Sequence, residues 1–171
     1  MIHLLDNASF EKFSVYKFSI NYPSVCRVEF NPKSRRESGD VVFHFPDKEK
    51  VFLSWGDLEK VQKRFSTVEE QAEHGIKTVS KSGAVKGCER VVKDSIEVNS
   101  HKAAYNHIRL KETVGGGLFG GSKTVQREGY SAHLQCENSS RYFVIYTLLS
   151  ANAPQDFGDL MKTMIDSFRC H

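Results

Sequence analysis

Histidines and cysteines are the residues here with the clearest potential for metal binding or nucleophilic catalysis. The cysteines are Cys26, Cys88, Cys136 and Cys170. No two cysteines form a CxxC pair, and no HExxH motif links the seven histidines. His133 and Cys136 are three residues apart on a predicted strand, so their side chains should point to opposite faces. Cys170 and His171 are expected to fray at the end of the sequence. We therefore predict no metal site and no cofactor.

Covalent catalysis needs a nucleophile within hydrogen-bond reach of a base, and a further group that orients the base. The sequence contains no GxSxG motif, and no serine or cysteine follows a strand–turn–helix pattern. Glu69 and Glu70 are paired carboxylates, but they fall on the polar face of a predicted helix. We predict no catalytic residues, and a non-enzymatic role is favoured over an enzymatic one.

One predicted strand carries a row of polar and aromatic side chains. Tyr105, His107 and Arg109 alternate along one face of this strand, and Tyr130 stands on the next strand. If that face is not fully covered, these four residues form a shallow ligand pocket. The favoured interpretation is a solvent-facing strand surface, with the pocket as the alternative.

The glycine-rich segment at residues 114–123 satisfies the GxGxxG pattern. Phosphate binding by that motif requires a helix after the loop, whereas a strand pattern follows here, so nucleotide binding is disfavoured. The favoured interpretation is a mobile hairpin tip. Leu118 and Phe119 would be exposed on this tip. Because two large apolar residues are costly to leave in water, the alternative interpretation is that they contact a partner protein.

The densest basic cluster is Lys33, Arg35 and Arg36, in a polar loop. The net charge is only +3, and a nucleic-acid-binding surface more often shows a concentrated basic face. A solvated loop is favoured over a phosphate-binding patch, and nucleic-acid binding is disfavoured.

The elements that must position these residues are organised around a helical pattern at residues 57–79. Its apolar residues recur at steps of three and four, which predicts one amphipathic helix. A capping pattern at residues 67–70 also allows a short helix followed by a longer one, but the continuous apolar phase favours near-continuity. Alternating strand patterns lie on both sides of the helix.

Residues 141–151 are apolar on both faces, which predicts a central strand covered on both sides. A second amphipathic helix closes the sequence. We predict an α+β fold, an α/β/α sandwich in the order ββββ-α-ββββ-α. Its central sheet would be mainly antiparallel, with about seven to eight strands, and helices would cover both faces.

Size and composition predict a single domain over residues 1–171. No window approaches the roughly 18 apolar residues that a membrane span needs, and residues 1–15 do not form the pattern of a signal peptide. The scattered cysteines fit reduced thiols. We therefore predict a cytoplasmic protein without a membrane span.

Several short segments resemble the PsbP/Mog-type superfamily. They are FSINYP at residues 18–23, VNSHKAA at residues 98–104 and MIDSF at residues 164–168. The resemblance covers about residues 16–169 and implies an α/β/α sandwich with a non-enzymatic role in binding or assembling partner proteins. We predict a protein-binding or adaptor module whose partner is another protein, with a homodimer left open. The alternative is a small-molecule-binding protein or an enzyme that uses the pocket on the sheet.

Overall fold

The computed structural model describes residues 9–115 and 121–171. Nine strands and three α-helices lie in these ranges. In chain order they are β1 (Phe10–Val15), β2 (Phe18–Pro23), β3 (Arg27–Phe30), β4 (Gly39–His44), β5 (Lys50–Asp57), α1 (Leu58–Gln62), α2 (Val68–Ser80), β6 (Val85–Val98), β7 (His101–Val114), β8 (Lys123–Cys136), β9 (Arg141–Leu148) and α3 (Phe157–Ser167). No helix in the described ranges is both long and apolar enough to cross a membrane.

The strands form a mostly antiparallel fold with few helices. Seven of them make one sheet in the order β3-β4-β5-β9-β8-β7-β6, and β1 and β2 pair separately. A tight turn connects β6 to β7. Asn99 and Ser100, between β6 and β7, have φ of 50° and 64°, the left-handed conformation that a two-residue hairpin turn requires. The pairing of β5 with β9 joins the N-terminal and C-terminal halves of the sheet.

The predicted central position of β9 is confirmed, and its two faces are buried to different degrees. Phe143 and Ile145 are buried on one face. On the opposite face, Tyr146 is 39% exposed and its ring stacks on Phe52, with 5.0 Å between the ring centroids. The α2 helix packs mainly on β6, β7 and β8, so this face of β9 is covered only in part.

The predicted near-continuous helix is two helices, so the alternative interpretation of that segment is correct. The Asp57 side chain accepts a hydrogen bond from the amide of Glu59 and caps α1. Thr67 Oγ1 accepts from the amide of Glu70 at 3.2 Å and caps α2. The Glu70 carboxylate accepts in turn from the amide of Ser66 at 2.7 Å. These bonds satisfy backbone donors at a new helix start, which outweighs the continuous apolar phase.

The predicted order ββββ-α-ββββ-α needs correction as well. Five strands precede the helices, because β1 forms where the sequence pattern is weak. It pairs with β2 over its whole length, from Phe10 opposite Pro23 to Val15 opposite Phe18. Phe13 on β1 packs edge-on against Phe43, with 6.0 Å between the ring centroids. Tertiary contact with the aromatic core thus stabilises a strand that local periodicity does not predict.

The helices α2 and α3 bury their apolar residues in different clusters. Leu160, Met161 and Met164 of α3 are fully buried in the large core, which also contains Ala103 of β7. The α2 helix contributes to a smaller cluster that contains Ala104. Consecutive residues of a strand face opposite sides of a sheet. These two packing faces place the candidate sites described below.

Candidate functional site

An open groove lies between the strands β6–β8 and helix α3. Tyr105, His107 and Tyr130 line it from the sheet. Gly158 approaches it from α3, and a methyl group on Gly158 would meet Tyr130 Oη at 2.9 Å. The volume is about 420 Å³. We call this cavity the aromatic groove.

Arg109, the remaining residue predicted for the pocket, lies beside the aromatic groove on the same strand face. Its Nε donates to Glu128 Oε1 at 2.8 Å, and His107 Nε2 lies 2.6 Å from Glu128 Oε2. The His107 and Tyr130 rings stack with 4.3 Å between their centroids. Glu128 therefore orients the His107 ring, which lines the groove, and binds the Arg109 guanidinium. The sequence pattern did not predict this role of Glu128.

The electrostatics of this region follow from burial and from Glu128. Burial opposes the ionisation of Glu128, but hydrogen bonds from Arg109 and His107 outweigh it and lower its pKa. Burial raises the pKa of Tyr105 to about 12, and the charge of Asp159 adds to this shift. Burial also raises the pKa of Tyr130. Both phenols are therefore neutral hydrogen-bond donors at pH 7.

The charges around the aromatic groove are mainly negative. Asp94 comes from β6, and Asp159, Lys162 and Asp166 come from α3. Three carboxylates therefore face one ammonium group. Aromatic rings with nearby carboxylates form a suitable environment for a cation, through ring quadrupoles and direct charge attraction.

A second group of chemically capable residues is assembled from three separate parts of the chain. His101 begins β7, Cys136 ends β8, and Cys170 and His171 follow α3. One ligand atom from each of these four residues lies within 4.8 Å of each of the others. We call this group the Cys/His cluster. The prediction of no metal site missed this arrangement, because the residues are far apart in the sequence.

Backbone structure positions each member of the cluster. The β7–β8 register pairs Ala103 with Leu134, and its continuation places His101 opposite Cys136. The segment after α3 is held by Arg169, whose amide and carbonyl exchange two 2.8 Å hydrogen bonds with Ser19. Cys170 is completely buried, so the prediction that it frays is wrong.

The thiols of the Cys/His cluster differ in character. A hydrogen bond from Cys170 lowers the pKa of Cys136, with further contributions from Ser139 and His171. The same bond raises the pKa of Cys170. The cluster thus favours a thiolate at Cys136, and thiolates are the form in which cysteines bind metals.

A third feature is an apolar cavity of about 550 Å³ between α2 and the sheet. Ile76, Ile108 and Leu148 are among its aliphatic lining residues, and His133 also lines it. His133 is buried, and its Nδ1 has no hydrogen-bond partner among the described residues. Burial lowers the pKa of His133 to about 4.

The other predicted site residues occupy different places. Lys33, Arg35 and Arg36 have exposed side chains in the loop between β3 and β4. The backbone of this loop is anchored, because Trp55 Nε1 donates to the Arg35 carbonyl at 2.9 Å. Leu118 and Phe119 lie outside the described residues.

Comparison with known proteins identifies the fold. The sequence matches no known protein-family model and no curated protein. Among solved structures, the chain is similar to the solution structure of cyanobacterial PsbP (CyanoP) from Synechocystis sp. PCC 6803, with a TM-score of 0.67 and 13% sequence identity. The alignment covers 100% of this chain and 98% of that chain. The chain therefore has a PsbP-like fold, and at this identity the likeness concerns the fold alone.

Proposed function

We propose that this protein is a non-catalytic binding module that engages a basic segment of a partner protein through the aromatic groove. A lysine or arginine side chain of the partner would lie against the Tyr130 ring and near the carboxylates. The observation that carries this proposal is the composition of the groove, in which aromatic rings and three carboxylates face one lysine. Contacts of this kind are each worth about 0.5–2 kcal/mol, which suits a reversible adaptor.

Preorganisation of the groove supports the proposal. Glu128 holds His107 against Tyr130, so the ring stack is in place before a ligand arrives. A binding surface that is already ordered loses less conformational entropy on association. Leu118 and Phe119 remain proposed as a second contact for the partner.

Further inferences concern the layer arrangement, the cellular location and the oligomeric state of the protein. We infer that the layers form an α/β/α sandwich, because neighbouring residues Ala103 and Ala104 belong to different core clusters. From the sequence we also infer a Mog-type relationship and a cytoplasmic location, and we leave a homodimer open.

A small molecule in the same groove is the second candidate function. The volume of about 420 Å³ lies in the range of small-ligand sites. The neutral phenols of Tyr105 and Tyr130 could orient a polar ligand by hydrogen bonds. A small cationic amine is the ligand class that the lining favours.

The test is calorimetric titration with three peptides of equal length, rich in lysine and arginine, in glutamate, or in serine, and with spermidine. We expect the basic peptide to bind and the other two not to bind. Tyr130→Ala should weaken binding about 2- to 30-fold, the equivalent of the cation–π range. Asp159→Asn should weaken it about 2- to 5-fold, as expected for a solvent-exposed ion pair.

Glu37→Gln, in the loop between β3 and β4, is the matched control for loss of one carboxylate and should bind like wild type. If spermidine binds and the basic peptide does not, the second candidate function is favoured. Equal affinity for all three peptides, or the same loss in Glu37→Gln as in Asp159→Asn, would refute the proposed role of the groove.

A further inference from the structure

The Cys/His cluster has the composition and spacing of a metal-ligand set. Two sulfur and two imidazole nitrogen donors are the set that tetrahedral zinc sites use. Cys136 Sγ lies 3.6 Å from His101 Nε2 and 3.6 Å from His171 Nδ1. Cys170 Sγ lies 3.2 Å from His171 Nδ1.

These separations agree with the edges of a coordination tetrahedron. Zn–S bonds of about 2.3 Å and Zn–N bonds of about 2.0–2.1 Å imply ligand–ligand distances of about 3.3–3.8 Å. The largest separation in the cluster is at most 4.8 Å. No two donors would need to move closer together by more than about 1.5 Å to reach these distances.

We propose that His101, Cys136, Cys170 and His171 bind one Zn²⁺ ion in a structural site. With four protein ligands, the ion has no open position for a substrate, which distinguishes this site from a catalytic one. The site is separate from the aromatic groove and independent of the function proposed for that groove.

The surrounding residues fit the roles of outer-shell partners. Asn99 Nδ2 donates to Cys170 Sγ at 3.3 Å, a bond that stabilises a thiolate ligand. Asn138 lies on the far side of the His171 ring, with Nδ2 3.2 Å from Nε2. When Nδ1 binds zinc, Nε2 carries the proton and donates to the amide oxygen of Asn138, after a flip that exchanges the amide oxygen and nitrogen.

Zinc at this position would join parts of the fold that are distant in sequence. It would connect the start of β7, the end of β8 and the segment after α3. That segment already pairs with β2 through Arg169 and Ser19. Because the ligands come together only in the folded chain, zinc binding stabilises the folded state.

The test begins with the wild-type protein, purified under reducing conditions, stripped with a chelator and titrated with Co²⁺ and then Zn²⁺. We expect one equivalent of Co²⁺ to produce the visible absorption of tetrahedral thiolate coordination and Zn²⁺ to displace it. Zinc should also raise the melting temperature. An absorption typical of six-coordinate cobalt, or no saturable binding, would overturn the proposal.

His171→Gln is the decisive variant, because His171 is exposed and its loss leaves the core unchanged. We expect its zinc affinity to fall by more than the 10- to 100-fold that loss of an outer-shell partner costs. Asn99→Ala, which removes an outer-shell partner, should lower the zinc affinity by about 10- to 100-fold. His74→Gln and Cys88→Ser replace exposed residues of the same types and should bind zinc like wild type.

Two results would contradict the proposal. One is equal zinc affinity in His171→Gln and His74→Gln. The other is a Cys136–Cys170 disulfide in the protein as isolated, found by peptide mass spectrometry, together with no zinc binding after reduction. In that case the two thiols would be a redox pair and the histidines would be bystanders.

Discussion

Protonation of His133 should limit stability in acid. This imidazole is buried at the apolar cavity, close to Gly75, whose added methyl carbon would lie 3.5 Å from His133 Cε1. Its Nδ1 has no hydrogen-bond partner among the residues that the structure describes. Burial therefore favours the neutral ring and lowers the pKa to about 4, from an ordinary value of 6.5.

The sign and size of the effect follow from proton linkage. Below pH 6.5 the unfolded chain binds a proton at His133 that the folded chain does not bind, so stability decreases as pH falls. The decrease continues until the folded pKa of about 4 is reached. At about 1.36 kcal/mol per pH unit, the full difference is about 3 kcal/mol, of which about 2 kcal/mol is lost by pH 5.

His133→Leu removes this titration, because it replaces the imidazole with an apolar side chain of similar size. Urea unfolding at pH 7.5, 6 and 5 should show that the variant loses about 2 kcal/mol less than wild type over this interval. His74→Gln, a change on the exposed face of α2, should follow the wild-type curve. NMR titration of the His133 ring protons provides a direct measurement.

Equal losses of unfolding free energy in wild type and His133→Leu would refute the argument from burial. A measured His133 pKa near 6.5 in the folded protein would refute it as well. The other ionisable groups are common to both proteins. Their contributions should cancel in the difference.

Three further predictions concern a cap, the aromatic groove and a buried cation. Thr67→Ala should lower the free energy of unfolding by about 1 kcal/mol and Thr67→Ser by much less, because only alanine removes the cap of α2; equal losses measured by urea unfolding would contradict this. Gly158→Ala should displace the Tyr130 ring, since the methyl group would lie 2.9 Å from Tyr130 Oη. It should weaken binding of the basic peptide several-fold with little change in melting temperature, and unchanged binding by calorimetry would count against the site. Arg141→Lys should cost about 1–3 kcal/mol, because Arg141 is buried and its Nη2 donates to the Tyr16 carbonyl at 2.9 Å, a contact that lysine cannot reproduce with the same geometry. Unfolding free energies within error of wild type would show that this contact is dispensable.

The candidate sites differ in how much local pattern could predict. Alternation along one strand placed Tyr105, His107 and Arg109 on a common face, since side-chain direction in a strand depends only on residue parity. The partner Glu128 was not predicted, because its position opposite Arg109 depends on the β7–β8 register. In the sequence, only the lengths of the two strands and of the loop between them could have indicated that Arg109 pairs with Glu128.

Local patterns were enough to predict most of the secondary-structure elements, including the central strand and the apolar faces of the helices. Periodicity and capping residues act within a few positions, so they can be recognised without coordinates. The Cys/His cluster forms only when the chain folds, because strand register and the Ser19–Arg169 bridge bring residues 101, 136 and 170–171 together. Proximity between distant residues is a property of the folded chain, and no local pattern encodes it.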